Sequence, residues 1–218
     1  MGYFKVTHDF PTHLFMGSNR SNHGDLYIMR GIPGCGKSFR AKQLSERLGN
    51  APVFSADAYF GEGEEYRKRW SIQTAHLGHR DCEAKTLAAM KSNAPAVIVD
   101  NTNISLQGFR VYLDYAVDLD YAVYFVYPNS PWWTETVEPF LKSKKPHEFD
   151  REKAEEIAKL LASKTIHGVP EQTLVDMMSR FQWVNFKDYE DATVQRVAAL
   201  EKELADMKKR VEKLYDLY

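Results

Sequence analysis

An eight-residue stretch between Gly31 and Ser38 reads GIPGCGKS and fits the pattern G-x-x-x-x-G-K-[ST] in full. Glycines suit such a loop because backbone N–H groups can curl around phosphates without obstruction by Cβ atoms. Lys37 would neutralise β- and γ-phosphate charge, and the Ser38 hydroxyl is an oxygen ligand of the kind that Mg²⁺ takes. The sequence therefore predicts a nucleotide-binding loop made of Gly31, Ile32, Pro33, Gly34, Cys35, Gly36, Lys37 and Ser38.

Two aspartates follow apolar strand patterns, which is where ligand sites collect in parallel α/β sheets. Asp100 closes the run AVIVD, and this pattern makes it the candidate Mg²⁺ ligand beside Ser38. Asp57 comes after the run APVFSA, where an enzyme that phosphorylates a hydroxyl needs a carboxylate to orient the acceptor and take its proton. The alternative for either aspartate is a helix N-cap, a common position for this residue.

Phosphoryl transfer also needs a cation near the charge that develops on the γ-phosphate. Arg110 is one candidate, because it lies one to two helical turns beyond the Asp100 strand. Five basic residues of a later segment are further candidates: Lys142, Lys144, Lys145, Arg151 and Lys164. The alternative for each of them is a side chain that simply faces water.

The elements that must position these residues alternate between strand and helix patterns. Strands are predicted over 25–30, 51–55, 96–100 and 121–127, with a weaker fifth candidate over 183–186. Helices are predicted over 39–48, 82–91, 107–117 and 150–164. This alternation predicts an α/β fold with a mostly parallel five-stranded sheet covered on both faces.

Two segments depart from the alternation. Residues 131–165, here called the lid segment, contain the pair Trp132-Trp133 and are expected to form either a mobile helical flap or a static helical subdomain. The region after residue 188 carries apolar residues at alternating spacings of three and four: Val197, Leu200, Leu204, Met207, Val211, Leu214 and Tyr218. We expect a domain over 1–188 and a coiled-coil helix over 189–218 that forms a homodimer through 193–218 or folds back on the domain.

The composition constrains the function less than it first suggests. The 218 residues carry 29 basic and 30 acidic side chains, and a net charge of −1 excludes a protein that binds DNA by bulk charge. The charge is nevertheless uneven, since residues 1–49 and 67–91 each carry a net charge of +4. Two cysteines and apolar runs of only strand length predict a soluble, cytoplasmic protein without a membrane segment.

Read together, five segments resemble the polynucleotide-kinase-like P-loop kinases, an AAA-type ATP-binding group that also takes in zeta-toxin-like and phage DNA-modifying kinases. The segments are RGIPGCGKSF, FSADAYF, the Ala75-His76 pair, VIVDNTN and the run Ile166-His167-Gly168-Val169-Pro170, within residues 25 to 185. The last two in this order are the most specific part of the match.

The resemblance implies a P-loop kinase core with a lid, ATP as phosphate donor, Mg²⁺, and transfer to a hydroxyl that is often on a nucleic acid. By position, Asp57 resembles the acceptor-side base of the family, and Arg110 with a basic lid residue resembles its charge stabilisers. One departure is that residues 132–150 contain no arginine, so the lid cation is not identified.

Three functions remain open at this point. The leading one is a kinase acting on nucleic acid, either DNA or RNA, with a 5'-hydroxyl end or a hydroxymethylated base such as 5-hydroxymethyluracil as acceptor. The second is a small-molecule kinase acting on a nucleoside, a sugar or an antibiotic. The third is a nucleotide-dependent binding protein without transfer activity, although Lys37, Ser38 and Asp57 are all present.

Overall fold

The computed structural model describes residues 12–14, 23–144, 148–184 and 205–209. The chain divides into two compact units, residues 1–182 and 183–218. In the second unit, residues 205–209 are helical. The rest of the predicted coiled coil lies outside the described residues, so the dimer stays a prediction.

A single sheet forms the centre of the first unit. Its strands are β1 (Thr12–Leu14), β2 (Gly24–Met29), β3 (Val53–Phe54), β4 (Ala96–Val99) and β5 (Tyr121–Val126), in the order β1-β5-β2-β4-β3. Strands β5, β2, β4 and β3 are parallel, and β1 pairs with β5 in the antiparallel direction. The predicted α/β fold with four parallel strands is confirmed.

The predicted fifth strand over 183–186 is wrong where the structure describes it, because residues 183 and 184 belong to no strand. Residues 185 and 186 lie outside the described residues. The edge of β5 is instead occupied by β1, in which Thr12 pairs with Phe125. This strand is only three residues long, which is too short for a periodic pattern to show in the sequence.

The apolar runs of the central strands are buried on both faces, as a parallel sheet requires. Leu26 and Ile28 of β2 and Val97 and Ile98 of β4 are all fully inaccessible to solvent. Burial of each such side chain contributes about 1.5–3 kcal/mol to folding. These strands are therefore rigid supports for the loops at their carboxyl ends.

Seven α-helices surround the sheet: α1 (Lys37–Arg47), α2 (Gly63–Arg69), α3 (Ala75–Lys91), α4 (Leu106–Asp118), α5 (Glu138–Ser143), α6 (Arg151–Ala162) and α7 (Glu171–Arg180), among the described residues. A 3-10 turn covers Asp57–Phe60 and a π-helical turn covers Trp133–Val137. Helix α3 begins seven residues before its predicted start at Cys82, whereas α1, α4 and α6 lie close to their predicted bounds. No helix within the described ranges is both long and apolar enough to cross a bilayer.

The lid segment is helical, as predicted, and it is packed. Trp133, Leu141, Ile157 and Leu161 from its three helical stretches are all buried. Helix α6 packs against α7.

Candidate functional site

The glycine-rich loop connects β2 to α1 and is shaped by positive backbone angles. Gly34 and Gly36 have φ values of 81° and 85°, which residues other than glycine rarely adopt. The N–H of Gly31 donates to the carbonyl of Thr102 at 3.0 Å and ties the loop to the segment after β4. Gly36 is the N-cap of α1 and supplies no side-chain cap. The first N–H groups of α1 therefore have no side-chain acceptor, which is the condition for binding an anion at a helix N-terminus.

The lid segment contacts this loop directly. The indole Nε1 of Trp132 donates to the carbonyl of Gly34 at 3.0 Å, and Oγ of Ser130, the residue before the segment, donates to the carbonyl of Cys35 at 2.9 Å. A Cβ at Gly34 would lie 2.5 Å from the carbonyl oxygen of Leu161 at the end of α6. Glycine at this position is therefore required by the packing of the lid segment as well as by its φ angle.

Lys37, Ser38 and Asp100 form a polar cluster at the carboxyl ends of β2 and β4, in which Lys37 is buried, Asp100 half-buried and Ser38 exposed. Lys37 is 8% exposed, and its Nζ donates to the carbonyl of Ile32 at 3.1 Å. Burial lowers the pKa of Lys37, and the nearby charges of Asp100 and Asp57 act in the opposite direction. Burial raises the pKa of Asp100, opposed by the charge of Lys37 and a hydrogen bond from Ser38.

One oxygen of Asp100 fits a metal ligand. Its Oδ1 is buried and has no hydrogen-bond partner, an arrangement that costs free energy unless a cation or water completes it. The Ser38 hydroxyl is the neighbouring oxygen. Within the described residues, no group of three or more His, Cys, Asp or Glu side chains could hold a metal ion. A Mg²⁺ ion at this position would therefore take its remaining ligands from water and phosphate oxygens, as Mg²⁺ commonly does.

Asp57 opens the 3-10 turn after β3 and is exposed to solvent. Its backbone N–H donates to Ser55 Oγ at 3.1 Å, and its Oδ1 accepts a hydrogen bond from the Tyr66 hydroxyl at 2.9 Å. Its charge acts on both Lys37 and Asp100. The structure thus brings together four of the residues singled out in the sequence, from the ends of β2, β3 and β4.

The run Asn101-Thr102-Asn103, which follows Asp100 directly, holds these loops together. Asn101 Oδ1 accepts from the N–H of Ala56 at 2.9 Å, so it fixes the residue before Asp57. Asn103 adopts a φ of 45° and donates through Nδ2 to the carbonyl of Met29 at 2.9 Å. The run therefore connects the end of β4 to the ends of β2 and β3.

Arg30, which the sequence analysis did not single out, is fully buried just before the glycine-rich loop. Its guanidinium donates to the carbonyl of Asn103 at 2.8 Å, to the Tyr127 hydroxyl at 3.0 Å and to the carbonyl of Gln182 at 2.6 Å. It also lies over the rings of Phe109, Phe125, Tyr127 and Phe181. The only sequence signal was an arginine at the end of an apolar strand.

The candidate cations separate into different surroundings. Lys142 pairs with Glu138, Lys144 donates to the carbonyls of Ser179 and Phe181, and Arg151 pairs with Glu155. Lys145 lies outside the described residues.

Lys164 is linked to the loop through Trp132. Its Nζ is 4.2 Å from the centroid of the Trp132 ring, the residue that donates to Gly34. Arg110 lies in the first half of α4.

Cys35 has its side chain in the interior, although its backbone belongs to the loop. It is fully inaccessible, and burial raises the pKa of its thiol to about 12. Burial therefore argues against a reactive thiolate at this helix N-terminus. Cys35 is a small residue in a tightly packed position.

Comparison with known proteins agrees with this architecture. A family model described as an AAA domain, AAA_33, matches residues 26–163, which contain the loop, Asp57 and Asp100. The chain is 27% identical over 157 residues to human (Homo sapiens) NEDD4-binding protein 2. That alignment covers 72% of this chain and 8% of the relative, so the chain spans only a small part of the relative's length.

Solved structures that this chain is similar to include the Pnkp1/Rnl/Hen1 complex and the Pnkp1/Rnl/Hen1 RNA repair complex. The first is 23% identical over 61% of this chain and 43% of the other, with a TM-score of 0.41. The RNA repair complex is 18% identical over 74% and 45%, with a TM-score of 0.49. A gluconokinase from Sinorhizobium meliloti 1021 is 16% identical over 74% and 77%, with a TM-score of 0.40. Since the family model covers more than half of its length, the chain belongs to the AAA_33 family of AAA domains.

Proposed function

We propose that this chain is a kinase that transfers the γ-phosphate of ATP to a hydroxyl group on a nucleic acid. The observation that carries the proposal is the pairing of a buried lysine and a half-buried aspartate at the phosphate loop with one exposed carboxylate. Lys37 is buried and Asp100 is half-buried with an inaccessible Oδ1, whereas Asp57 is exposed and acts electrostatically on both. A donor site with an accessible base beside it is what phosphoryl transfer to a hydroxyl requires.

On the donor side, the N–H groups of the loop and of the first turn of α1 bind the phosphates. Lys37 then neutralises charge on the β- and γ-phosphates, in surroundings where burial strengthens electrostatic interactions. Ser38 and the unpartnered oxygen of Asp100 would hold the metal. A bound Mg²⁺ ion neutralises phosphate charge and orients the γ-phosphate.

On the acceptor side, Asp57 takes the proton of the acceptor hydroxyl. The acceptor oxygen forms a bond to the γ-phosphorus, the bond between that phosphorus and the β–γ bridging oxygen breaks, and ADP leaves. The proton ends on Asp57, which is solvent-exposed and can release it to water. The products are ADP and a phosphate monoester.

Lys164 is the stronger candidate for the cation that stabilises the charge on the transferred group. It lies on the ring of Trp132, which is hydrogen-bonded to the phosphate loop, while the candidates Lys142, Lys144 and Arg151 contact partners elsewhere. Arg110 remains the second candidate, as the sequence pattern predicts.

One exposed aromatic residue near Asp57 favours an acceptor that carries a nucleobase. Phe60 and Tyr66 are buried, and Tyr59 lies under Arg69, whose guanidinium is 5.2 Å from the ring centroid. Trp70 is 42% exposed, and its ring is nearly parallel to that of Tyr66, with an interplanar angle of 9°. The accessible ring of Trp70 contacts Tyr66, the hydrogen-bond partner of Asp57, and is suited to stacking on a nucleobase.

The test offers γ-labelled ATP with a panel of acceptors to the wild type and to Asp57→Asn. The panel contains 5'-hydroxyl DNA and RNA, duplex DNA with 5-hydroxymethyluracil, free nucleosides, and a sugar. We expect label on a polymer, and a loss of about 10²–10⁴-fold in Asp57→Asn, the range for removal of a general base.

Glu64→Gln is the matched control, because Glu64 is an exposed acidic residue whose partner is Lys68 on the same helix. This variant should transfer phosphate at the wild-type rate. Label on nucleosides or sugar alone would instead identify a small-molecule kinase. Nucleotide binding without transfer to any acceptor would identify a binding protein.

A further inference from the structure

The Ile166–Pro170 segment has no role in the reaction described above, yet its histidine lies at the acceptor side. The ring of His167 stacks on the ring of Tyr66, with centroids 3.9 Å apart and an interplanar angle of 19°. The hydroxyl of Tyr66 in turn donates to Asp57 Oδ1 at 2.9 Å. A chain of direct contacts therefore leads from the α6–α7 connection to the proposed base.

Tyr66 is held from several sides. It lies in the short helix α2 and is 7% exposed, with Trp70 nearly parallel at 6.2 Å and Phe60 edge-on at 5.9 Å. Burial raises the pKa of the Tyr66 hydroxyl, and the charge of Asp57 adds to this effect. The hydroxyl consequently keeps its proton and remains a donor throughout the physiological pH range.

We propose that Tyr66 is the positioning residue of Asp57, and that His167 keeps the Tyr66 ring in the place from which its hydroxyl reaches Oδ1. This inference rests on the proposed function, in which Asp57 is the base. It assigns a role to two residues that are more than one hundred positions apart in the chain.

An exposed carboxylate on a single 3-10 turn needs such a partner. Ser55 Oγ fixes the backbone of Asp57, but it leaves the side chain free to change rotamer. The Tyr66 hydroxyl occupies Oδ1, so Oδ2 is the oxygen left to accept the proton of the substrate hydroxyl. Misplacement of a catalytic group by about 1 Å can reduce a rate by roughly 10²-fold.

Helix α6, which precedes the α6–α7 connection, also contacts the phosphate loop. The carbonyl of Leu161, at the end of α6, packs against Gly34, and His167 follows six residues later. Packing of α6 on the loop therefore also helps to place His167, which supports the acceptor side. Donor loop and base are aligned by one stretch of chain.

The experiment measures steady-state transfer for Tyr66→Phe, Asp57→Asn and the double variant, with Tyr59→Phe as the matched control. Tyr59 is a neighbouring tyrosine whose ring contacts Phe60 and Arg69. We expect Tyr66→Phe to lower kcat about 10-fold, within the range set by misplacement of a reacting group. The KM for ATP should not change, and Tyr59→Phe should match the wild type.

The double variant separates positioning from a merely structural effect. If Tyr66 acts through Asp57, Tyr66→Phe should cause no further loss in the Asp57→Asn background, because residues that act as a unit are not additive. An equal further loss in that background, or full activity of Tyr66→Phe alone, would overturn the inference.

The histidine is tested by its own pair of variants. His167→Phe keeps an aromatic ring and should retain activity, whereas His167→Ala should lose activity several-fold in kcat with an unchanged KM for ATP. Equal activities of the two variants would overturn the role of the ring. Absence of transfer by the wild type to every acceptor is a different outcome, because it overturns the proposed function and the positioning role with it.

Discussion

The donor side and the acceptor side of the site are built differently. The proposed donor side consists of one continuous loop, a buried lysine and a half-buried aspartate, and it would bind phosphate largely through the backbone. The acceptor side consists of side chains from β3–α2 and from the α6–α7 connection, and its central carboxylate is exposed.

The difference reflects what each side must bind. Triphosphate is the same in every nucleotide, and a backbone loop recognises it without side-chain specificity. An acceptor is recognised by its own chemistry, which side chains from separate elements must match. The donor side should therefore be sensitive to single charges, and the acceptor side to small changes in geometry.

Removal of the buried donor-side charge should have the largest effect. Lys37→Met should reduce kcat about 10³-fold, because a preorganised cation on transferring phosphate is worth 10²–10⁵ in rate. The comparison is Lys42→Met, an exposed lysine on the same helix, which should keep wild-type activity. Equal losses in both variants would contradict the special role of the buried position.

The lid cation should have a smaller effect on the same side. Lys164→Ala should lower kcat about 10²-fold, the lower part of the range for a charge-stabilising group. Lys159→Ala, which removes an exposed lysine from α6, is the matched variant and should be neutral. If Lys164→Ala is also neutral while Arg110→Ala is not, the charge stabiliser is Arg110.

Asn101 links the two sides, so its loss should act on stability and on the acceptor side together. Asn101→Ala leaves the N–H of Ala56 without its acceptor, and should lower the free energy of unfolding by about 1–3 kcal/mol. Urea unfolding measures this change, with Gln107→Ala, an exposed amide on α4, as the control. Equal stability of the two variants would show that water replaces the Asn101 carbonyl.

The smallest effect is expected at the edge of the acceptor side. Trp70→Leu should raise the KM for a polymer acceptor about 5- to 10-fold and leave the KM for ATP unchanged, because one base stack is worth about 1–3 kcal/mol. A competition assay between 5'-hydroxyl DNA and a free sugar measures the change in preference. An unchanged preference would remove Trp70 from the acceptor site.

The sequence predicted the parts of the molecule that are local. The loop between Gly31 and Ser38, the apolar strands and the helix α1 each follow from a short pattern, because their conformation depends on neighbouring residues. Asp57 and Asp100 were found by the same means, as carboxylates after strands. The fifth strand was misplaced because β1 is short and pairs with a strand more than one hundred residues away.

Other residues of the site region could not be predicted, because their contacts join parts of the chain that are distant in sequence. Arg30 donates hydrogen bonds to Asn103, Tyr127 and Gln182, and each partner is distant in sequence. Cys35 belongs to the loop by its place in the sequence, but its side chain lies in the interior, and only packing decides this.

By itself, the sequence determined a phosphate-binding loop on a parallel α/β sheet and two carboxylates at strand ends. The tertiary structure decided which of these groups meet: Asp57 beside Lys37 and Asp100, Lys164 on Trp132, and His167 on Tyr66. The physical reason is that the conformation of a loop which binds through its own backbone is determined by its own consecutive residues. A contact between side chains from separate elements forms only after the sheet and helices have packed.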